Sequence, residues 1–229
     1  MIKQNYIDEI LIALKKTNSD ANIDDRLIER WMDTQRAIFI KNKINQGETI
    51  EDNITQTIHN IKVDIVDASM NNAVPTRGRF LRTSARLPKF IECTNRLLLT
   101  SVRLPELNGR EVNTVKREEI NYTGSGVFNT DEMFGFLYNG YYYLKIPDTN
   151  FKISLITHLT IDGVFETPSD LSLYRHTDGS PCYVEDLDDY PISDTIWEYL
   201  LGAIMQYKAN QNAMFRSDNE NDGRDSSEA

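Results

Sequence analysis

The first part of the chain has the hydrophobic spacing of amphipathic helices. In residues 4–16 the aliphatic positions recur every three or four residues, which predicts a short helix. A further short helical segment is predicted from Thr49, because acidic residues there precede two isoleucines spaced by four, Ile54 and Ile58. Residues 1–59 are therefore predicted to form the N-terminal helices.

Between these two segments, residues 22–46 predict a longer helix. Asn22 or Asp24 would be its N-cap, and Gly47 follows the last turn as a C-terminal signal. The apolar residues would face the helix's own subdomain. The basic residues toward its end predict a charged face for a neighbour, and they are Arg36, Lys41 and Lys43.

After residue 59 the pattern changes to an alternation of apolar and polar positions. In IKVDIVDA, Ile61 and Val63 alternate with charged residues, as in a half-buried strand. Similar segments continue to residue 184, separated by Pro, Asn and Gly. In FGFLYNGYYYLKIP, Asn139-Gly140 predicts a two-residue hairpin turn. Asp178-Gly179 marks a second turn.

Helical spacing returns near the end of the chain. Ser193 or Asp194 would cap a helix with a wide apolar stripe, and we interpret Trp31 and Trp197 as core residues where helices meet. Residues 216–229 are polar and acidic, which predicts a flexible tail. The predicted fold class is α+β: N-terminal helices and a C-terminal helix (185–215) form a helical subdomain, with an inserted antiparallel β domain (60–184).

Composition narrows the functional classes. The 229 residues carry a formal net charge of −10, which argues against nucleic-acid binding through the whole surface. Cys93 and Cys182 lie far apart without metal-ligand spacing and predict reduced thiols in a cytosolic setting. No apolar run approaches the roughly 20 residues that span a bilayer. The first residues have acids inside their apolar stretch, unlike a signal peptide.

The sequence offers no credible catalytic constellation. The three histidines, His59, His158 and His176, lack zinc-type spacing and are interpreted as turn or strand residues. TGSGVF lacks the ending of a phosphate-binding loop, so it predicts a flexible connection. The acidic run over 185–189 lacks calcium-loop spacing; a solvated linker or a face for a basic partner is favoured over a cation site. No catalytic residue, cofactor site or metal ligand is predicted, and the chain is interpreted as an assembly component rather than an enzyme.

Two residue clusters remain as candidate surfaces. The dense basic segment could contact phosphates or an acidic neighbour, although an ordinary surface is favoured, and it comprises Arg77, Arg79, Arg82, Arg86 and Lys89. The aromatic row around Asn139-Gly140 is interpreted mainly as cross-strand packing. Tyr142 has a tyrosine on either side, so some rings there must point outward, and outward rings suit a protein interface.

Four segments carry a resemblance to a known family: IDDRLIERWMDTQRAIFIKNKINQ, LRTSARLPKFI, IDGVFETPSDL and the final helix with its tryptophan. They resemble the head-to-tail connector, or neck ring, proteins of short-tailed phages, especially crAss-like phages. The order of helices, β domain and helix is more distantly similar to the adaptor and tail tubular proteins of podoviruses.

The resemblance implies a virion protein that is assembled in the host cytoplasm. It implies a homo-oligomeric ring, typically of twelve copies, below the portal protein and beside other neck or tail proteins. Genomic DNA would pass through the channel without sequence-specific binding. No cofactor, reaction or membrane contact is implied.

A ring with a heterologous interface needs two different, complementary patches on each subunit. The candidate subunit or portal contacts predicted from the sequence are Arg36, Lys41, Lys43, Asp186, Asp188, Asp189 and Tyr142. One alternative is a carbohydrate- or receptor-binding β module of a phage tail, in which outward tyrosines would bind sugar. Another is an unrecognised hydrolase or nuclease that uses a metal at Asp186 and Asp188.

Overall fold

The computed structural model describes residues 1–17, 24–49, 51–67, 79–94, 96–123, 132–145 and 155–206. The chain divides into two compact units, one containing residues 1–50 and 185–229 and the other containing residues 51–184. Helices occupy the first unit and an eight-stranded sheet the second. The chain is therefore of mixed α+β class, as predicted.

The first unit contains three helices in its described ranges: α1 (Lys3–Thr17), α2 (Asp25–Asn45) and α3 (194–206). At the start of α2 the Asp24 side chain accepts a hydrogen bond from the backbone of Arg26, and it is the N-cap. Gly47 follows the helix with a φ of +86°, a conformation that glycine adopts at little cost. Both ends of α2 therefore agree with the sequence.

The third helix, α3, begins with a serine cap and buries one stripe. Ser193 Oγ accepts a hydrogen bond from the Ile196 amide at 3.4 Å, so Ser193 fills the predicted capping position. The stripe is buried at Ile196, Leu200 and Ile204. Trp197 is half-buried, with its ring centroid 4.5 Å from that of Tyr6 in α1, which supports its interpretation as a packing residue between helices.

The second unit is built on eight strands. They are β1 (Gln56–Asp67), β2 (Arg79–Thr83), β3 (Leu99–Leu104), β4 (Arg110–Glu111), β5 (Asn113–Thr114), β6 (Phe134–Tyr138), β7 (Tyr141–Lys145) and β8 (His158–Gly163). Their order in the sheet is β4-β3-β8-β1-β2-β7-β6-β5. All neighbouring pairs are antiparallel except β5 and β6.

The two outermost strands of this order are consecutive in the chain, so the sheet closes on itself. Only Val112 separates β4, which pairs with β3, from β5, which pairs with β6. The Val112 amide donates to Val102 at 2.8 Å, and the Asn113 amide donates to Met133 at 2.8 Å. We call Arg110–Thr114 the closing segment.

Side chains from both faces of the sheet form cores. The enclosed face carries the larger one, which includes Val63, Val102, Val112, Leu144 and Ile161. The opposite face of β2, β6 and β7 carries a second, aromatic core with Phe80, Phe136 and Tyr143, covered by Ile120. Period-two alternation explains this division, because successive side chains of a strand point to opposite faces.

The predicted turns are confirmed, but one predicted helical segment is wrong. Asn139 and Gly140 have φ values of 52° and 78° and join β6 to β7. Asp178-Gly179 lies in a turn closed by a bridge between Arg175 and Pro181. From Thr49, however, the described residues form only a single 3-10 turn (Asp52–Ile54), and β1 already begins at Gln56. The four-residue spacing of isoleucines suits a helix, but the β-branched residues at 55, 57 and 58 favour a strand.

Candidate assembly surfaces

A buried lysine joins three acidic side chains in the helical unit. The Lys3 side chain is 4% exposed, and its Nζ lies 2.8 Å from Glu185, 3.5 Å from Asp33 and 3.7 Å from Glu29. Burial lowers the pKa of Lys3, but Asp33 and the other carboxylates outweigh this effect and raise the pKa above its ordinary value. The chain at Glu185 is thereby attached to α1 and α2.

A second set of contacts attaches the following residues and includes Arg36. The Tyr190 hydroxyl donates to Asp33 at 2.6 Å, and Arg36 Nε donates to the Pro191 carbonyl at 2.6 Å. The Arg36 guanidinium also lies over the Tyr190 ring, 5.7 Å from its centroid.

The prediction that Arg36 belongs to an exposed basic face is wrong. Its side chain is 0% exposed and lies in the middle of the buried face of α2. That face repeats every four residues, and Met32 and Ile40 are the neighbours of Arg36 on it. An arginine is tolerated there because a backbone carbonyl accepts from its Nε and an aromatic ring covers its plane.

The other two predicted basic residues of α2 lie at the surface to different extents. Lys41 is exposed. Lys43 is 26% exposed; its Nζ lies 3.4 Å from Glu48 and 5.3 Å from the centroid of the Phe39 ring. Lys43 therefore contacts residues of its own chain near the end of α2, whereas Lys41 is exposed to solvent.

Residues 186–189 form an exposed segment between the two attachment points. Asp186 and Asp188 are exposed, and Asp189 accepts a hydrogen bond from the amino group of Met1. Leu187, which lies among these acids, has 78% of its surface exposed. Sequence reasoning missed this leucine because a single aliphatic residue among acids gives no periodic signal.

The outward face of α2 is more apolar than the sequence suggested. Leu27 and Ile38 are each 42% exposed, and Trp31 between them is half-buried. Sequence reasoning assigned the apolar residues to the helix's own subdomain. It missed that they form two groups on opposite faces of α2.

Tyr142 of β7 does not point outward, so that prediction is wrong. Its side chain is 0% exposed, and its hydroxyl lies 2.9 Å from the Thr114 hydroxyl of the closing segment. The ring occupies space left by Gly135, where a Cβ atom would lie 2.4 Å from the Tyr142 hydroxyl oxygen. Burial raises the pKa of Tyr142 well above its ordinary value.

The basic segment and the aromatic row combine into a set of ring–arginine contacts. The Arg82 guanidinium lies over the Tyr141 ring at 4.9 Å and that of Arg117 over the Tyr138 ring at 4.4 Å. Arg86 Nε donates to the Asn139 carbonyl at 3.3 Å. Arg82 and Arg86 of the basic segment, together with Arg117 outside it, thus contact the β6–β7 hairpin. Arg77 lies outside the described residues.

Two histidines far apart in the sequence meet in the β unit. The ring centroids of His59 and His176 are 4.7 Å apart. Burial lowers the pKa of His59, and the neighbouring His176 lowers it further. His59 precedes Asn60, whose φ is 55°, within an irregularity of the β1–β8 pairing. Sequence reasoning missed the pair because His176 lies outside the eight strands, in a turn region far from His59 in the chain.

The described ranges contain little that points to a reaction centre. Cys93 and Cys182 are both free. Within those ranges no group of three or more His, Cys, Asp or Glu side chains is placed to hold a metal ion. None of the helices seen there combines the length and the apolar character needed to cross a bilayer.

The buried polar groups described above hold the fold together, while exposed acids, bases and aliphatic side chains share the helical unit's surface. Aliphatic side chains that are exposed together on one helix face, as Leu27 and Ile38 are, suit a contact with another protein. Comparison with protein families gives the particular group: the chain matches the family described as phage tail ring protein 2 over residues 5–226, and it belongs to that family of crAss-like phage ring proteins. No curated protein matches the chain.

Proposed function

We propose that this chain forms a closed homo-oligomeric ring in the phage neck, joins the portal to the tail and extends the DNA channel. The observation that carries the proposal is the match to a tail ring family over residues 5–226. A tail ring protein has a structural role in the virion tail, and the neck position and portal contact are the further steps proposed here.

The ring would contain twelve copies and would pass genomic DNA without sequence-specific contacts. The net charge of −10 suits this role, because an acidic lumen repels phosphate and lets DNA slide. Assembly would take place in the host cytoplasm, with the portal protein and other neck or tail proteins as neighbours.

Five of the residues predicted as subunit or portal contacts remain candidates, since all of them lie at least partly at the surface. They are Lys41, Lys43, Asp186, Asp188 and Asp189. Arg36 and Tyr142 are removed because both side chains are 0% exposed. The alternative of a sugar-binding tail module loses its main candidate residue with Tyr142.

Electron microscopy tests the proposal directly. The purified protein, alone and mixed with its portal protein, should give closed rings with a central channel. Labelling of the protein in intact particles should place it between the capsid and the tail. A protein that stays monomeric even with its portal partner, or that is found only at distal tail fibres, would contradict the proposal.

A further inference from the structure

The outward face of α2 is an apolar stripe bordered by basic residues. At about 100° per residue, Trp31 and Ile38 lie within about 40° of Leu27 around the helix axis. Arg36, at the centre of the buried face, lies about 180° away from Leu27. The stripe therefore points away from the side on which α2 packs, and two of its residues, Leu27 and Ile38, are each 42% exposed.

The basic border of the stripe comes from Arg30 and Lys41, both exposed. On the helical wheel these two residues lie about 40–60° to one side of Leu27. The acidic residues within α2 lie elsewhere, since Asp25, Glu29 and Asp33 are about 120–160° from Leu27. Within α2, apolar and basic side chains thus share one face without a carboxylate.

The segment at 186–189 has the complementary pattern. Leu187 is 78% exposed, and acidic residues precede and follow it directly. The segment is held at both ends, by Glu185 against Lys3 and by Tyr190 against Asp33, at 2.8 Å and 2.6 Å. A short anchored segment that presents one leucine among acids loses little conformational entropy on binding.

One subunit cannot bring these two features together. The anchored segment is tied to α2 through Asp33, which lies about 120° around the helix from the apolar stripe. The stripe and the segment are therefore on different faces of the same unit, as a head-to-tail contact between identical copies requires.

We propose that Leu187 of one copy docks on the Leu27–Ile38 stripe of α2 in the next copy. Asp186 and Asp188 then face Arg30 and Lys41 across the contact. The proposal rests on the proposed ring and names the surface that closes it. The apolar contact contributes affinity, and the charges select the register and orientation of the copies.

Two charge-reversal variants test the contact. The stripe variant carries Arg30→Glu with Lys41→Glu, and the segment variant carries Asp186→Lys with Asp188→Lys. Each variant alone should fail to form rings at protein concentrations where the wild type forms them, because like charges then face each other in every contact. Circular dichroism and the urea unfolding midpoint establish that each variant is folded.

Mixing the two variants gives the sharper result. In an alternating ring the basic segment of one variant meets the acidic stripe of the other, and the remaining contacts are of the wild-type kind. Rings should therefore reappear in the mixture, seen by electron microscopy and by light scattering. The chain that carries all four substitutions should also form rings, since its two patches are again complementary.

Replacing the apolar residues of the contact tests their contribution separately from that of the charges. Leu187→Ser and Ile38→Ser should each raise the concentration needed for rings by at least about tenfold, in line with the loss of a buried aliphatic side chain. Ile12→Ser is the matched control, because Ile12 of α1 is 56% exposed but lies in neither patch. The Ile12→Ser variant should form rings at the same protein concentration as the wild type.

The outcomes distinguish this contact from the ring itself. If the wild type and both charge-reversal variants form rings equally well, the contact is wrong while the ring stands. If the single variants form no rings and the mixture does not regain them, the stripe and the segment both matter for the ring but do not contact each other, and the proposed contact is wrong. If the wild type forms no ring even with its portal, the proposed function fails.

Discussion

At the scale of single residues, two large polar side chains are fully buried. Arg36 and Tyr142 are both 0% exposed, and each has a polar partner inside the fold: the Pro191 carbonyl for one and the Thr114 hydroxyl for the other. A buried polar group is costly unless it is hydrogen-bonded, so these partners reduce the cost of burying the two side chains.

Replacing Arg36 should damage the fold, whereas replacing Lys41 should not. Arg36→Met keeps much of the apolar stem but leaves the Pro191 carbonyl without its donor, at a cost of about 1–3 kcal/mol. Lys41→Met at the exposed position should change stability by no more than about 0.5 kcal/mol. Urea unfolding followed by circular dichroism measures both. Equal effects would contradict the assignment of Arg36 to the buried face.

Gly135 should be intolerant of even one added methyl group. A Cβ atom there would lie 2.4 Å from the Tyr142 hydroxyl oxygen, so the ring of this fully buried residue would have to move. Gly135→Ala should destabilise by about 1–3 kcal/mol. Gly202→Ala in α3 is the control, because no atom lies within 4 Å of its Cβ and alanine favours a helix. A neutral Gly135→Ala would show that the ring is not confined.

At the scale of elements, turns and helix caps were predictable from neighbouring residues, whereas structure that depends on strand pairing was not. The turn at Asn139-Gly140 was predictable because positive φ at both positions is a property of the dipeptide itself. The caps of α2 and α3 were predictable for the same reason. The choice between strand and helix at residues 55–58 depends on pairing with β8, which no local spacing reveals.

At the candidate surfaces, too, local sequence predicted exposure correctly but could not predict contacts with distant residues. The exposure of Lys41 and of the acids near Leu187 followed from their position in charged stretches. The inward turn of Tyr142 depends on a gap at Gly135, across the sheet on β6, together with Thr114 of the closing segment. Neither the gap nor the hydroxyl is near Tyr142 in the sequence, so its direction could not be predicted there.

The contact between His59 and His176 joins β1 to a distant turn and should make stability fall in acid. The pKa of His59 is lowered by burial and by His176, and Arg103 adds to this while Asp162 opposes it. The unfolded chain therefore binds the proton at higher pH than the folded chain. The stability that neutral His59 contributes is present above its ordinary value of 6.5 and is lost as pH falls through the lowered pKa.

Unfolding midpoints in urea between about pH 7.5 and about pH 5 measure this dependence. The acid limb is the fall of the unfolding midpoint as the pH decreases. His59→Gln should flatten this limb, since glutamine takes up no proton. His176→Gln should flatten it in part, because His176 lowers the pKa of His59 in addition to the larger effect of burial. An acid limb that is unchanged in both variants would assign the dependence to other groups.

At the scale of the whole molecule, the division into two units predicts separate folding. Residues 51–184 are continuous in the chain and contain the closed sheet and both of its cores. This fragment, expressed alone, should show β circular dichroism and a cooperative thermal transition, because its core does not depend on the helices. A fragment that unfolds without cooperativity would contradict the independence of the unit.

The closing segment has a consequence for how copies of the chain behave when they are crowded. Both ends of the strand order, over the strands that the structure describes, belong to the one segment Arg110–Thr114. A sheet whose two end strands share one segment leaves fewer vacant amides and carbonyls for a foreign strand to pair with. Newly made subunits can then accumulate side by side with less tendency to add to one another's sheets, and their association is left mainly to side-chain surfaces that recognise a partner.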